Sequence, residues 1–526
     1  MMILDSIKEW KEAENDPIVV VGAGAVGIHL SVLLARQGRK VVLLESGNHI
    51  LSSFASNAYR TEGREHNGIR LGRSVALGGT TNLWGGQLVE FEALDFESRD
   101  WVANSGWPVG YEEFSRYFGP TYDALGYEGE TQNDEQVWAL INRRPPQISD
   151  DLLVFLTRWL KQPNLAKHYR EDLETNPNLQ VVLNTKVVGF AGQQNRVEGV
   201  KLADGKGGFD ILPGSHFVLG AGTIENARLL LATALDDQWY CPWKENDKIG
   251  RYFHDHLGGP VAKITPKDHK EFFGEFSTIV FKGRKYLPKV RSQPSFVREN
   301  RILGVQAMLT FEHSVKEHLV FLKQFVKAAL GSREIGSITK FFRHAWACLR
   351  YLPPLMWTYI VEHRLLVPRG SDIQIIVQAE VEPLPESRIT VDPQKRDAYG
   401  LPMAVLDWQL SGKELESLAC FAEMVKRSFE DSGKATVQID RQLVDRDPQF
   451  LDTLHDTNHQ GGGCIMGTSA ENGVVDQDLK VFGSDNMFVI GPSIFRTASH
   501  ANCTFTALTF ATRLSKHLVE ATHAAD

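Results

Sequence analysis

The chain has 526 residues, 42% hydrophobic and 23% charged, with a formal net charge of −8. That length exceeds what one hydrophobic core serves, so two or more intimately packed domains are expected. The acidic balance argues against a nucleic-acid binder, and no window holds the ~18 consecutive apolar residues that a membrane span requires.

Met1 to Asp16 is polar and acidic and lacks the basic and apolar regions of a secretory signal. The cysteines at 241, 348, 420, 464 and 503 form an odd, unpatterned set with no metal spacing. Such a set suits a reducing compartment, and the expected location is cytoplasmic. Ile18 to Val21 and Val41 to Leu44 read as short buried strands, with helix-compatible spacing from Ile28 to Arg36 between them. Residues 60 to 90, rich in Gly, Ser and Thr, read as extended loop. Strands are expected at Leu179 to Leu183 and Phe217 to Leu219, then a helix through Glu225 to Leu231. The composition shifts near 260, and strand-like stretches at Ser277 to Phe281 and Ile373 to Val381 bracket a different segment. Motifs become dense again from about 456 to the end.

The first turn carries Gly22-Ala23-Gly24-Ala25-Val26-Gly27, a G-x-G-x-x-G run that follows a strand and opens a helix. Glycine there permits the tight turn, close approach of backbone to a pyrophosphate, and helix-strand packing. The helix N-terminus offers its unpaired N–H groups to phosphate. Glu45, 18 residues past Gly27 at the end of the second strand, is placed to accept hydrogen bonds from a ribose diol. An acidic residue there favours FAD or NAD over NADP.

Further blocks decide between FAD and NAD. Leu77-Gly78-Gly79-Thr80-Thr81-Asn82-Leu83-Trp84-Gly85-Gly86 resembles the flavin-contacting loop of the glucose-methanol-choline (GMC) oxidoreductases. Val218 to Arg228, with Gly222 at its turn, resembles that family's second nucleotide-side strand. Gly473 to Asp476, Met487 to Gly491 and Ala501 to Ala507 resemble its closing flavin segment. The blocks occur in the family's order and cover both ends of the chain. The resemblance implies an FAD enzyme, with Gly22, Gly24, Ala25, Gly27, Glu45, Gly79, Thr80, Asn82, Leu83, Trp84, Gly85, Val187, Gly222 and Gly491 on the cofactor. The implied fold is α/β, a Rossmann-type FAD-binding domain built from 1–95, 170–259 and 456–526. Connecting or cap segments follow at 96–169, and an α+β substrate-binding domain with an antiparallel sheet at 260–455.

Within the family, Ala501-Asn502-Cys503-Thr504 resembles the Asn-Pro-Thr segment of pyranose oxidases, and His459-Gln460-Gly461-Gly462-Gly463-Cys464 is similar to a cholesterol oxidase motif. Pyranose oxidases attach flavin through a histidine at the position that Leu83 holds here. A leucine forms no such bond, so FAD is expected to be non-covalent.

Oxidising CH–OH to C=O removes a hydroxyl proton and passes hydride to flavin N5, with the protein supplying position and proton handling. His459 is the expected base, since imidazole titrates near working pH. Asn502 is expected to hold the same hydroxyl in position. His500 and Glu380 are candidate substrate contacts, with Glu382 an alternative to Glu380. His455 reads as solvated, Cys464 and Cys503 as packing cysteines, and His254 and His256, although metal-like in spacing, as part of a structural turn. No metal is expected. The implied substrate is a small-molecule alcohol, a sugar or glycoside by the pyranose oxidase likeness. The alternatives are a sterol, terpenoid or lipid-linked alcohol, or a flavin-dependent lyase, decarboxylase or non-oxidising flavoprotein. Oxygen, a quinone and a carrier protein all stand as electron acceptors.

Residues 316–369 hold nine basic residues against three acidic ones, interleaved with aromatics, in a chain that is otherwise acidic. Such a segment reads as a surface for an anionic membrane. The simpler reading, and the one preferred, is a pair of helices forming an oligomer interface or a lid over the pocket.

Overall fold

Short β-branched runs from both ends of the chain meet in one sheet. In the computed structural model, which describes residues 2–9, 16–54, 58–127, 133–203, 208–235, 239–330 and 338–523, six parallel strands lie in the order Ile3–Leu4, Leu179–Val182, Val41–Leu44, Ile18–Val21, His216–Leu219 and Met487–Val489. Ile18–Val21 and Val41–Leu44 are buried along their whole length. Continuous apolar runs of this kind belong to parallel strands covered on both faces. The covering helix Ala25–Arg36 begins directly after the glycine turn. Gly22 turns at φ +103°, and a Cβ on Gly27 would lie 1.9 Å from the Gly22 carbonyl oxygen. The C-terminal helix Cys503–His523 packs on Ala25–Arg36, where His29 Nε2 and Thr512 Oγ1 are 2.9 Å apart.

The second sheet is larger and antiparallel along its main path. Its order is Ala435–Ile439, Leu257–Pro266, Asp372–Ala379, Val305–Glu312, Arg284–Ser292, Leu152–Trp159 and Gln87–Leu88, with Ile279–Phe281 and His455–Asp456 paired at its flanks. Leu152–Trp159 therefore belongs to this sheet, whereas 96–169 was expected to connect or cap. Its alternating burial is that of a strand with one covered face. Helix Lys413–Asp431 lays Leu415, Leu418, Phe421, Ala422, Val425 and Phe429 into the interior, an apolar set at helical spacing.

Residues 60–90 are not all loop. Tyr59–Gly63 pairs in parallel with Pro402–Trp408, and Gly79–Asn82 forms a short 3₁₀ turn. A strand whose partner lies so far along the chain leaves little local trace. His455–Asp456 pairs edge to edge with Leu257–Gly258. This pairing joins the C-terminal block to the start of the Leu257–Pro266 strand.

The glycine turn yields a contrast between neighbours. Gly27→Ala drives a methyl into backbone, and a loss of about 1–3 kcal/mol is expected, read as a lowered melting temperature. With no cofactor bound, Gly24→Ala meets nothing within 4 Å and is expected to melt as the wild type does. Equal melting of Gly27→Ala and wild type contradicts this packing.

Candidate functional site

The site is built on a buried carboxylate. Asp255, in Phe253-His254-Asp255-His256, accepts from the backbone N–H of His256 at 2.7 Å and of His459 at 2.9 Å through Oδ1. The N–H of Thr457 reaches the same oxygen at 3.4 Å. Oδ2 lies 3.1 Å from His66 Nε2. Because His66 Nδ1 accepts from the Ile69 N–H, its Nε2 carries the proton and donates. Asp255 thus stitches the 253–256 turn to the 457–459 loop. Its carboxyl is held below the ordinary range: burial pushes it up, but the His66 hydrogen bond and the neighbouring histidines outweigh that. Asp456 completes a close trio with His66 and Asp255, yet its oxygens already accept the N–H groups of Asn67 and Gly68 at 2.7 and 2.8 Å.

On this frame, His459 Nε2 lies 2.9 Å from Asn502 Nδ2, so the structure brings together the two residues expected to act as a pair. His459 Nδ1 is 2.8 Å from Thr457 Oγ1 and 3.0 Å from His256 Nδ1. Hydrogen placement follows from the network. His256 Nε2 is 3.1 Å from the Ala498 carbonyl, an acceptor only, so that nitrogen carries the proton. His256 Nδ1 is then a lone pair, and it receives an N–H of Gln378 at 2.9 Å. Two lone pairs facing each other across 3.0 Å would repel, so His459 holds its proton on Nδ1. Its Nε2 lone pair points at Asn502. Burial, with His256 and Lys289 nearby, pushes the His459 imidazolium down to about 3, against the opposing pull of Asp255. The imidazole is neutral and its basic nitrogen has a fixed direction.

Beside this pair runs a cleft lined by Gly22, Gly24, Ala25, Glu45, Thr80, Val187, Gly222 and Gly491. Helices Ala25–Arg36, Thr223–Ala234 and Cys503–His523 all start on it. A Cβ on Gly24, Gly222 or Gly491 would meet nothing within 4 Å, so backbone faces open space at all three. Glu45 is buried, with Oε2 accepting from Ala23 N and Oε1 from Gly47 N. Glycine backbone, helix N-termini and a buried acid are the donor set that a dinucleotide needs, and the residues fit FAD. Sequence reading missed a charged cluster on the same wall. Arg73, Lys186 and Arg228 surround Glu225 at 3.4, 3.0 and 3.5 Å, and Arg228 also pairs with Asp397 at 2.8 Å. These cations depress the Glu225 carboxyl against the opposing effect of burial.

Other expected cofactor residues shape the loop instead of lining the cleft. Gly27 packs helix on strand, and a Cβ on Gly79 would lie 2.8 Å from Gly24 Cα. Asn82 bonds the carbonyls of Leu77 and Gly79 and the side chain of Asn164, Trp84 donates to the Pro163 carbonyl, and Gly85 backs onto Trp159. Leu83 is 48% exposed.

The carboxylate candidates require a correction. Glu380 is fully buried and gives both oxygens to Arg99, at 2.7 and 2.8 Å, with a further N–H from Gly304 at 2.9 Å. Glu382 accepts from Ala103 N and Lys413 Nζ. Both are structural anchors, and Arg99 lies too far away in sequence to have signalled the pairing. His500 turns its ring towards Glu92, Nε2 to Oε1 3.7 Å, while its carbonyl holds Gln378. Its contribution to the pair runs through the backbone and Gln378. His256 read as part of a structural turn; it is that and also the direct neighbour of His459. Gly461 packs beneath the His254 ring, and His455 is exposed. Cys464 and Cys503 are buried, and burial pushes both thiols up, Cys503 to about 12. Lys289 is a buried amine beside the pair that sequence reading missed; it donates to Gln87 Oε1 at 3.2 Å, and burial lowers it to about 7.

Residues 17–235 match the family model for FAD dependent oxidoreductases, and residues 383–511 match the C-terminal model for GMC oxidoreductases. The chain thus carries an FAD-binding oxidoreductase domain and a GMC-type C-terminal domain. The chain is 20% identical over 576 aligned residues to a 2-methyl-1,2-propanediol dehydrogenase of Mycolicibacterium austroafricanum, covering 96% of this chain and 95% of that protein. It is 28% identical over 135 residues to a C-glycoside 3-oxidase of Arthrobacter globiformis, covering 26% of this chain and 24% of that protein. Two solved structures share the fold at a TM-score of 0.57. One is a pyridoxine 4-oxidase from Mesorbium loti, 15% identical with 96% and 99% coverage of the two chains; the other is a formate oxidase, 13% identical with 98% and 100% coverage.

The electrostatics of this site predict an unusual pH profile. With His459 neutral down to about 3, kcat/KM is expected to show no acid limb near the ordinary imidazole value of 6.5 from that residue. Transitions near 7 are expected instead from Lys289 and from Glu92, which burial raises to about 7. Profiles of Lys289→Met and Glu92→Gln separate the two. A limb near 6.5 that persists in the double variant Lys289→Met/Glu92→Gln contradicts the neutral His459.

Proposed function

We propose that the enzyme oxidises a secondary alcohol, CH–OH to C=O, on a sugar or glycoside, with His459 as the base and Asn502 as the positioning amide. The observation that carries this reading is the direction of the His459 Nε2 lone pair, set by Ala498, His256 and the Nδ1 proton and aimed at Asn502. Asn502 Oδ1 is buried and has no protein partner among the described residues. A substrate hydroxyl entering here donates to His459 Nε2 and accepts from Asn502 Nδ2, replacing the bond the two side chains now share. Bound FAD supplies the hydride acceptor. The hydroxyl proton passes to His459 Nε2, and the resulting imidazolium stands two hydrogen bonds from the Ala498 carbonyl. Asp255 lowers the cost of that charge, since it is the opposing pull already acting on His459. Asn502 is buried and His459 half-buried beside the cleft.

The sugar assignment is supported by local similarity to a protein named as a C-glycoside oxidase. Over nearly the full chain, the relative named for a diol keeps small polyols within the same proposal. For the cofactor, we infer non-covalent attachment, since Leu83 stands where the pyranose oxidase-like branch bonds flavin through histidine.

Two measurements test these readings. Anaerobic mixing with glycosides, free sugars, small diols and sterols is expected to bleach oxidised-flavin absorbance with the polyols, and His459→Ala to slow bleaching about 10²- to 10⁴-fold with flavin still bound. Bleaching by sterols alone overturns the substrate class, and an unslowed His459→Ala overturns the base. Acid precipitation is expected to release all flavin into the supernatant as FAD; flavin retained in the pellet contradicts non-covalent binding.

A further inference from the structure

Val305–Glu312 and Asp372–Ala379 are antiparallel neighbours whose last register pair is Glu312 with Asp372. A hairpin loop of a few residues would join them. Instead the chain leaves the sheet there and builds helices Ser314–Leu330, Ile338–Leu349 and Leu352–Ile360 before returning. This excursion begins at the strand end opposite Val305 and Ala379, the latter adjoining Gln378 of the site, about 23 Å away at ~3.3 Å per residue. None of its described residues lines the cofactor cleft.

The chemistry of the excursion is that of a buried element turned outward. Leu352–Ile360 reads Leu-Pro-Pro-Leu-Met-Trp-Thr-Tyr-Ile and has no buried residue. Trp357 is 60% exposed and Trp346, on the preceding helix, 78%. Phe342, Met356 and Ile360 are exposed beside them. An apolar helix left bare in water is costly, and the loss is recovered only against another surface. Lys323, Lys340, Arg343, Arg350 and Arg369 are also exposed, against Glu317 and Glu362. The nine-residue helix is about 13 Å long, less than half the ~30 Å of a bilayer core. No described helix is long and apolar enough to cross a membrane.

We propose that the exposed face of helices Ile338–Leu349 and Leu352–Ile360 is a membrane-docking surface that lies on anionic lipid, with Trp346 and Trp357 at the headgroup level and the basic residues on the phosphates. Charge selects this occupant. A second copy would bring the same positive face against itself, whereas an anionic leaflet draws it in while repelling the rest of this acidic chain. Interfacial helices of this composition bind by apolar burial and electrostatic attraction together. The inference rests on this face alone and is independent of the substrate assigned above.

The test is flotation of the FAD-loaded enzyme with vesicles of phosphatidylcholine, with and without phosphatidylglycerol. Binding is expected only with phosphatidylglycerol present, and is expected to fall with added salt. The double variant Trp346→Glu/Trp357→Glu and the charge reversal Lys340→Glu/Arg343→Glu/Arg350→Glu are each expected to weaken it about ten-fold or more. Flavin content and circular dichroism, unchanged in both, show that the variants are folded. Absence of binding to the anionic vesicles overturns the proposal. So does wild-type binding by both variants, or a concentration-dependent dimer that either variant abolishes.

Discussion

Everything at the centre of this molecule hangs on one carboxylate. Asp255 is buried, charged and saturated with donors: two strong backbone N–H bonds, a third longer one, and the His66 imidazole. A buried anion is tolerated only when it is paired and fully hydrogen-bonded, and here the partners come from three distant stretches of chain. The turn at 253–256 opens the Leu257–Pro266 strand, the loop at 457–459 follows the His455–Asp456 strand, and His66 lies in the loop after Tyr59–Gly63. Fixing these three together sets His459 at hydrogen-bond distance from Asn502, which sits at the start of the last helix.

The second constraint is where protons reside. A lone buried imidazole has two tautomers, and only one leaves Nε2 free to act on a substrate. The Ala498 carbonyl decides the matter for His256, and His256 decides it for His459. Gln378 reinforces the choice by giving one amide hydrogen to His256 Nδ1 and the other to the His500 carbonyl. The antiparallel sheet thus contributes directly to the chemistry, since Gln378 is carried by the Asp372–Ala379 strand.

What was legible in the sequence was whatever local patterning demands. The strand-glycine-helix unit, the second buried strand and the order of the blocks follow from spacing and glycine chemistry, and the strands stand where the pattern put them. His459 and Asn502 were legible as residues because each heads a distinctive motif. What was not legible depends on pairing across the fold. Glu380 looked like a substrate ligand because nothing near it in sequence announces Arg99. His256 looked structural because its partner is brought to it by Asp255 and the His455–Asp456 strand. Lys289 gave no signal at all, since an isolated lysine in a strand says nothing about burial. The opposite case is the 316–369 segment, whose composition was conspicuous while the placement of its helices Ile338–Leu349 and Leu352–Ile360, outside the cleft and largely exposed, required the fold.

The central claim is that His459 is a neutral base with its proton on Nδ1. Nitrogen-15 NMR of the FAD-loaded protein labelled at histidine reads this directly, with His459→Gln identifying the resonances. A neutral base of this kind shows a protonated Nδ1 and an unprotonated Nε2, unchanged from about pH 8 to about pH 5. A proton on Nε2, or conversion to imidazolium within that range, would contradict it.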